Sequence, residues 1–357
     1  MWQIRGQDKI VALLERSIEA GSIAHAYLLV GPRHVGKGAL ALNVAQALNC
    51  GGPGRPCGEC QSCRRIREGK HADVTWLGLD SKTEIGIDDI RELQRLANLP
   101  PYEGGYKVFV IDGAEHLSTE AANSLLKVLE EPPHRVVWLL LGTEERRLLP
   151  TVVSRCQRLD LRPLPLDEMR KLLTETYGLP PEKADLLTRL SQGRLGWALS
   201  ALSNDDVLKT RSERTAELAA LPAADLDGRF AYAQNLSVRS GQKRLSLTET
   251  VEAWLGWWRD LLLVKGGCTH AVTNIDYQET LEKQARALSL AEIRGFLSDL
   301  YAFQEDMYRN INIRLALESL MLKLPRKADS SPGRAASPAG STHERPERGR
   351  AEGGVYE

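Results

Sequence analysis

The stretch Gly31-Pro-Arg-His-Val-Gly-Lys-Gly38 constrains this chain more than any other, because it follows the pattern of a phosphate-binding loop up to its last position. That pattern is Gly, four free residues, Gly-Lys, then Ser or Thr. Gly31 and Gly36 let backbone N–H groups turn in on phosphate oxygens, and Lys37 can reach the terminal phosphates. The hydroxyl that would hold Mg²⁺ is missing, because position 38 is glycine. Such a cradle reads as a nucleotide fold that can hold ATP but is not expected to hydrolyse it. The plainer alternative is a glycine-rich turn between a strand and a helix. The flanks favour the cradle: Ala26-Tyr-Leu-Leu-Val30 is an apolar strand entering it, and Ala39 to Leu48 has the pattern of a helix leaving it.

The second constraint is a cluster of cysteines. Of six in the chain, Cys50, Cys57, Cys60 and Cys63 lie together, the last three at two successive C-x2-C steps. In a reducing compartment this clustering argues for a metal rather than disulfides. Four thiolates suit tetrahedral Zn²⁺ and leave no coordination site open, so the expected role is structural. A redox pair and unrelated free thiols are the alternatives. Cys156 and Cys268 are isolated and are expected to be packed away.

The rest of the N-terminal half alternates. Ile10, Leu13, Leu14 and Ile18 recur at helical spacing, Val74 to Leu79 reads as a strand, and Ile87 to Leu96 reads as a helix. Lys107-Val-Phe-Val-Ile111 is a strand ending at Asp112. Ser118 is a candidate N-cap for a helix that Pro132-Pro133 must end, and Val136 to Leu141 is another strand. Near-continuous apolar strands between helices mean an α/β parallel sheet covered on both faces. After Pro163 only helical patterns follow: a small unit from Leu166 to about Leu202, then a larger one over 206–326. In the larger unit, Trp254, Trp257 and Trp258 form a stripe that reads as core or subunit interface. Residues 327–357 are Ser, Pro, Gly, Ala and mixed charge, and are expected to be a disordered tail.

Composition excludes little else. The 47 basic and 47 acidic residues cancel, so no bulk charge draws the chain to nucleic acid. No apolar run approaches the ~20 residues of a membrane span, and the N-terminus lacks a signal-peptide core. A cytoplasmic protein is the expectation.

Asp112 sits where a P-loop ATPase keeps its metal-binding acid, yet the next residue, which would orient water, is Gly113. Glu115 reads as a solvated carboxylate. Thr143, after the next strand, is either a polar contact for phosphate or a turn residue. Arg155 is either a surface cation or a group pointing into a neighbour's active site.

Together these residues resemble the bacterial DNA polymerase III clamp-loader family of AAA+ proteins. The matching stretches are Gly6-Gln7, His25-Ala-Tyr-Leu28, the P-loop, the four cysteines, Ala121 through Glu130-Glu-Pro-Pro133, Ser154-Arg-Cys156 and Asn310 to Glu318. The resemblance covers roughly residues 1–326. It implies an AAA+ module over 1–162 with a zinc knuckle at 50–63, an all-α lid over 163–205, and an all-α collar over 206–326 that assembles a pentamer. It implies gamma/tau and delta subunits as partners, with the sliding clamp and primer–template DNA met through the complex at the nucleoid. It also implies that Arg155 is the arginine supplied in trans to an adjacent ATP site. A hydrolysing gamma/tau subunit would carry Thr at 38, Glu at 113 and an arginine near 196, whereas this chain has Gly38, Gly113 and Gly196, with Arg194 close by. The joint loss resembles the non-hydrolysing delta-prime type. A gamma/tau-type motor and a zinc-bearing adaptor outside replication are the alternatives.

Overall fold

The computed structural model describes residues 2–79, 84–103, 105–242, 244–307 and 311–325, so the tail expected over 327–357 lies outside the described residues. Helix α1 (Asp8–Glu19) precedes β1 (Ala26–Val30), and α2 (Lys37–Asn49) and α3 (Gln61–Arg67) follow it. The alternation then runs β2 (Val74–Leu77), α4 (Ile87–Ala97), β3 (Lys107–Asp112), α5 (Thr119–Glu130), β4 (Val136–Gly142), α6 (Pro150–Val153) and β5 (Gln157–Asp160). The five strands form one sheet in the order β2-β3-β4-β1-β5, and every pairing is parallel.

The near-continuous apolar runs have the cause expected of them. All seven residues of β4 are buried, and because successive side chains alternate, they divide between two cores. Trp138 and Leu140 join Ile90, Leu125 and Leu129 beneath α4 and α5. Val137, Leu139 and Leu141 join Leu14, Leu40 and Val44 beneath α1 and α2. Trp138 stacks on Phe109 with ring centroids 4.6 Å apart. Helix α5 begins where its cap was expected: Ser118 accepts a hydrogen bond from the Ala121 N–H at 3.0 Å. Strand β5 was not foreseen. Only Leu159 of its four residues is buried, as befits an edge strand, so it lacks an apolar run.

Two helical units follow. The first holds α7 (Leu166–Glu175), α8 (Pro181–Ser191) and α9 (Leu195–Ser203) around Met169, Leu173, Leu187 and Ala198. The second holds α10 (Asp205–Ala220), α11 (Leu226–Gln242), α12 (Arg244–Lys265), α13 (Gln278–Ala287), α14 (Leu290–Asp306) and α15 (Ile313–Lys323). Trp254, Trp257 and Trp258 of α12 are buried in its core, with Trp258 against Phe296 at 4.5 Å. The stripe is therefore core. Cys268 is a correction: it is exposed in the turn after α12, because isolation in sequence says nothing of burial. Among the described residues, no helix is long and apolar enough to cross a membrane.

Candidate functional site

The loop from Gly31 to Gly36 joins β1 to α2 at the C-terminal edge of the sheet. Gly36 caps α2 in the left-handed region (φ 110°), and Lys37 is the first helical residue. The N-terminal end of α2, with its partial positive charge, thus faces the loop. Lys37 Nζ turns back on the loop and donates to Gly31 O at 2.5 Å and to Pro32 O at 3.0 Å. Burial lowers the pKa of this ammonium below its ordinary value, against the opposing pull of the Glu115 and Asp112 carboxylates.

The three glycines that set this chain apart are glycine for different physical reasons. A β-carbon on Gly38 would meet nothing closer than the Trp76 ring at 3.8 Å, so the missing hydroxyl is no steric necessity. Gly113 follows Asp112 with φ +81°, a conformation that disfavours the glutamate a water-orienting role would need. Gly196 is pressed against the loop: its N–H donates to His34 O at 3.0 Å, and a β-carbon there would lie 2.7 Å from that oxygen. The start of α9 therefore crosses the phosphate loop backbone to backbone. Arg194, two residues earlier, donates from Nε to Ser191 O at 2.8 Å, and burial lowers its pKa.

Glu115 is a further correction. Thr143 donates to its Oε1 from the hydroxyl at 2.7 Å and from the backbone N–H at 3.2 Å. The carboxylate is tied to the end of β4 rather than solvated, because the turn after Asp112 brings it across to that strand. Thr143 is thereby engaged with Glu115. Arg155, just after α6, pairs with Glu130 at 2.6 Å and donates to Thr151 O at 2.9 Å. Glu130 is the last residue of α5, within the Glu-Glu-Pro-Pro motif.

Sequence reasoning missed the contribution of α12. Its Glu249 lies 3.9 Å from Arg33 of the loop and 3.2 Å from Arg214 of α10. Glu252, one turn on, is half-buried; burial raises its pKa, while Arg33 and Arg194 pull it down. No motif marks these two carboxylates, since more than two hundred residues separate them from the loop they face.

The four cysteines converge as expected. Their sulfurs all lie within 4.8 Å of one another, with Cys50 and Cys60 at 4.0 Å and Cys57 and Cys63 at 3.9 Å. A tetrahedral ion with bonds of about 2.3 Å holds its sulfurs about 3.8 Å apart, so this set can close on one ion. The N–H groups of Cys57, Cys60 and Cys63 donate to the sulfurs of Cys50, Cys57 and Cys60 at 3.3, 3.3 and 3.5 Å. Such donors favour thiolate: N–H groups pull Cys57 down to about 6, whereas burial pushes Cys63 up to about 12. Gln46 of α2 donates to Cys63 O at 2.9 Å, fastening the knuckle to the helix that leaves the phosphate loop.

A family model described as DNA polymerase III, delta subunit, matches residues 6–165. The DNA polymerase III subunit tau of Escherichia coli K12 is 32% identical over 282 residues, covering 76% of this chain and 43% of that protein. The subunit gamma/tau of Mycobacterium tuberculosis H37Rv is 38% identical over 173 residues, covering 48% and 30% respectively. The subunit delta' of Bacillus subtilis is 27% identical over 319 residues, covering 89% and 96%. The chain spans less than half the length of the Escherichia coli tau and Mycobacterium tuberculosis gamma/tau relatives.

Proposed function

The chain belongs to the family of DNA polymerase III clamp-loader subunits, and from that premise we propose that it is a non-hydrolysing subunit of the delta-prime type. In this reading residues 1–162 are an AAA+ module, 163–205 its lid and 206–326 a collar through which it joins gamma/tau and delta subunits. It works in the cytoplasm at the replisome, reaching the sliding clamp and primer–template DNA through the complex, and helps load the clamp. The observation that carries the reading is the joint loss of three groups around one phosphate loop, at Gly38, Gly113 and Gly196, the nearby Arg194 being turned back on Ser191 O at 2.8 Å. A metal ligand, a water-orienting acid and a lid cation are each worth orders of magnitude in phosphoryl transfer. The match along nearly all of the delta' relative agrees with it.

Arg155 is the residue through which such a subunit takes part in catalysis. We assign it to the ATP site of a neighbour, where a guanidinium stabilises charge that develops on the transferring phosphoryl, an effect of roughly 10³–10⁵ in rate. To reach out it must exchange Glu130 for phosphate, and an exposed pair of this kind is held by only about 0–1 kcal/mol. The cysteine knuckle holds one structural Zn²⁺, which supplies cross-linking and no open site for chemistry.

The test has two parts. The purified chain should release no phosphate from ATP, with or without DNA. A reconstituted complex carrying Arg155→Ala should assemble but lose part of its DNA-stimulated ATPase and clamp loading. Its full retention of both rates would reduce Arg155 to a surface cation. One observation favours a gamma/tau-type motor instead, namely the identity of 32% and 38% to the tau of Escherichia coli and the gamma/tau of Mycobacterium tuberculosis, against 27% to the delta' relative. Turnover on the order of 1 s⁻¹ by the purified chain, abolished by Lys37→Ala, would establish that reading.

A further inference from the structure

Three parts of the molecule meet at the phosphate loop, and the charges they bring are complementary. The loop supplies Arg33 and Lys37, and the small helical unit adds Arg194 and lays Gly196 on His34 O at 3.0 Å. The large helical unit answers with Glu249 and Glu252, which lie three apart on α12 and so share a face. Glu249 bridges Arg33 and Arg214, at 3.9 and 3.2 Å. The Glu252 carboxylate also acts on Arg33 and Arg194, and on Lys37, where Glu115 and Asp112 act more strongly.

A loop built to cradle phosphate therefore faces two carboxylates from α12, beside Asp112 and Glu115 of its own domain, and is crossed by the backbone of its own lid. The cis site thus fits a nucleotide triphosphate poorly: Glu249 stands 3.9 Å from Arg33, Lys37 Nζ is already bonded to Gly31 O and Pro32 O, and the polyphosphate would meet like charge from α12. We propose that Glu249 and Glu252 are the built-in counter-charge of this phosphate loop, taking the electrostatic place of a triphosphate and excluding nucleotide from the site. The inference rests on reading residues 31–38 as a phosphate cradle, and it goes beyond the loss of hydrolysis. An idle site would still bind ATP, whereas a site with an internal anion rejects it. The same contacts tie the nucleotide fold to both helical units in a single arrangement.

The test uses the full chain and inorganic tripolyphosphate without divalent metal, read by titration calorimetry and by thermal shift. The wild type should show no saturable binding at millimolar ligand. Glu249→Gln combined with Glu252→Gln should bind at least roughly tenfold more tightly, since two repelling charges are gone and the cations remain. Adding Lys37→Ala should abolish the gain. Binding by the wild type as tight as by the double variant would overturn the proposal. So would a folded double variant that gains nothing, or a gain that survives Lys37→Ala and is thus mere surface charge. Should the double variant not fold, Glu252→Gln alone decides by the same criteria. A negative result here leaves Arg155 and complex assembly untouched, because neither is read in this titration.

Discussion

The three glycines around the phosphate loop differ in what they forbid, and that difference can be measured. Gly38 faces open space up to the Trp76 ring at 3.8 Å, so Gly38→Thr should fold with an unchanged melting temperature. It should still hydrolyse no ATP in a phosphate-release assay, because the acid absent at 113 and the cation absent at 196 are not restored. Gly196→Arg is the opposite case. Its β-carbon would sit 2.7 Å from His34 O, so α9 must move off the loop, at a cost of about 1–3 kcal/mol. A lowered urea midpoint checks this, and an unchanged midpoint would show that the contact is slack. Packing therefore disfavours a side chain at 196, whereas nothing in the packing disfavours one at 38.

At the scale of elements, two clasps hold segments that have little core of their own. The knuckle between α2 and α3 buries two of its cysteines, Cys50 and Cys63, and little else beyond Pro56, so a metal bound there would be coupled to local folding. One zinc per chain is expected by metal analysis, with Cys60→Ser losing it; zinc content unchanged in the variant would refute the assignment. The second clasp is Arg229 of α11, which is fully buried. It donates to Met321 O in the last turn of α15 at 3.4 Å and to Leu324 O just after it at 2.6 Å, and to Pro222 O, Ala224 O and Pro325 O at 3.1 to 3.3 Å. Its charge lies at the negative end of α15, where a cation is favoured. Arg229→Met keeps the volume but strips these carbonyls of their donor, at about 3 kcal/mol or more. The expected loss falls on the large helical unit, read as weakened amide protection in α15 with that of β1 and β4 retained.

The whole molecule is joined by several weak ties rather than one strong one. Arg33 meets Glu249 at 3.9 Å and Arg146 meets Glu305 of α14 at 2.9 Å. Arg189 donates to His270 O at 3.0 Å, and Gln192 to Thr273 at 3.3 Å. Exposed pairs are worth about 0–1 kcal/mol each, so removing one should leave the arrangement intact. Arg146→Ala together with Glu249→Gln should raise deuterium uptake at the Gly196 amide, which is bonded to His34 O, with strand protection unchanged. Equal uptake in wild type and variant would mean that apolar contact alone holds the units together.

What the residues determined by themselves is local or periodic. The strands β1, β3 and β4 and the Ser118 cap follow from apolar runs and cap chemistry, and the cysteine cluster follows from spacing within fourteen residues. These depend on interactions between near neighbours, which a sequence displays directly. Strand β5 escaped notice because an edge strand with one buried residue has no run to read. The fixed Glu115, the Arg155–Glu130 pair and the approach of Gly196 to His34 were illegible for another reason: each is a contact made only when distant segments close. The α12 carboxylates are the extreme case, ordinary glutamates on a helix until the fold sets them against the loop. Sequence thus marked the glycine-rich loop and the glycines at 38, 113 and 196. Tertiary structure decided what stands in front of it, because electrostatic partners are fixed by distance in space and leave no period or spacing behind.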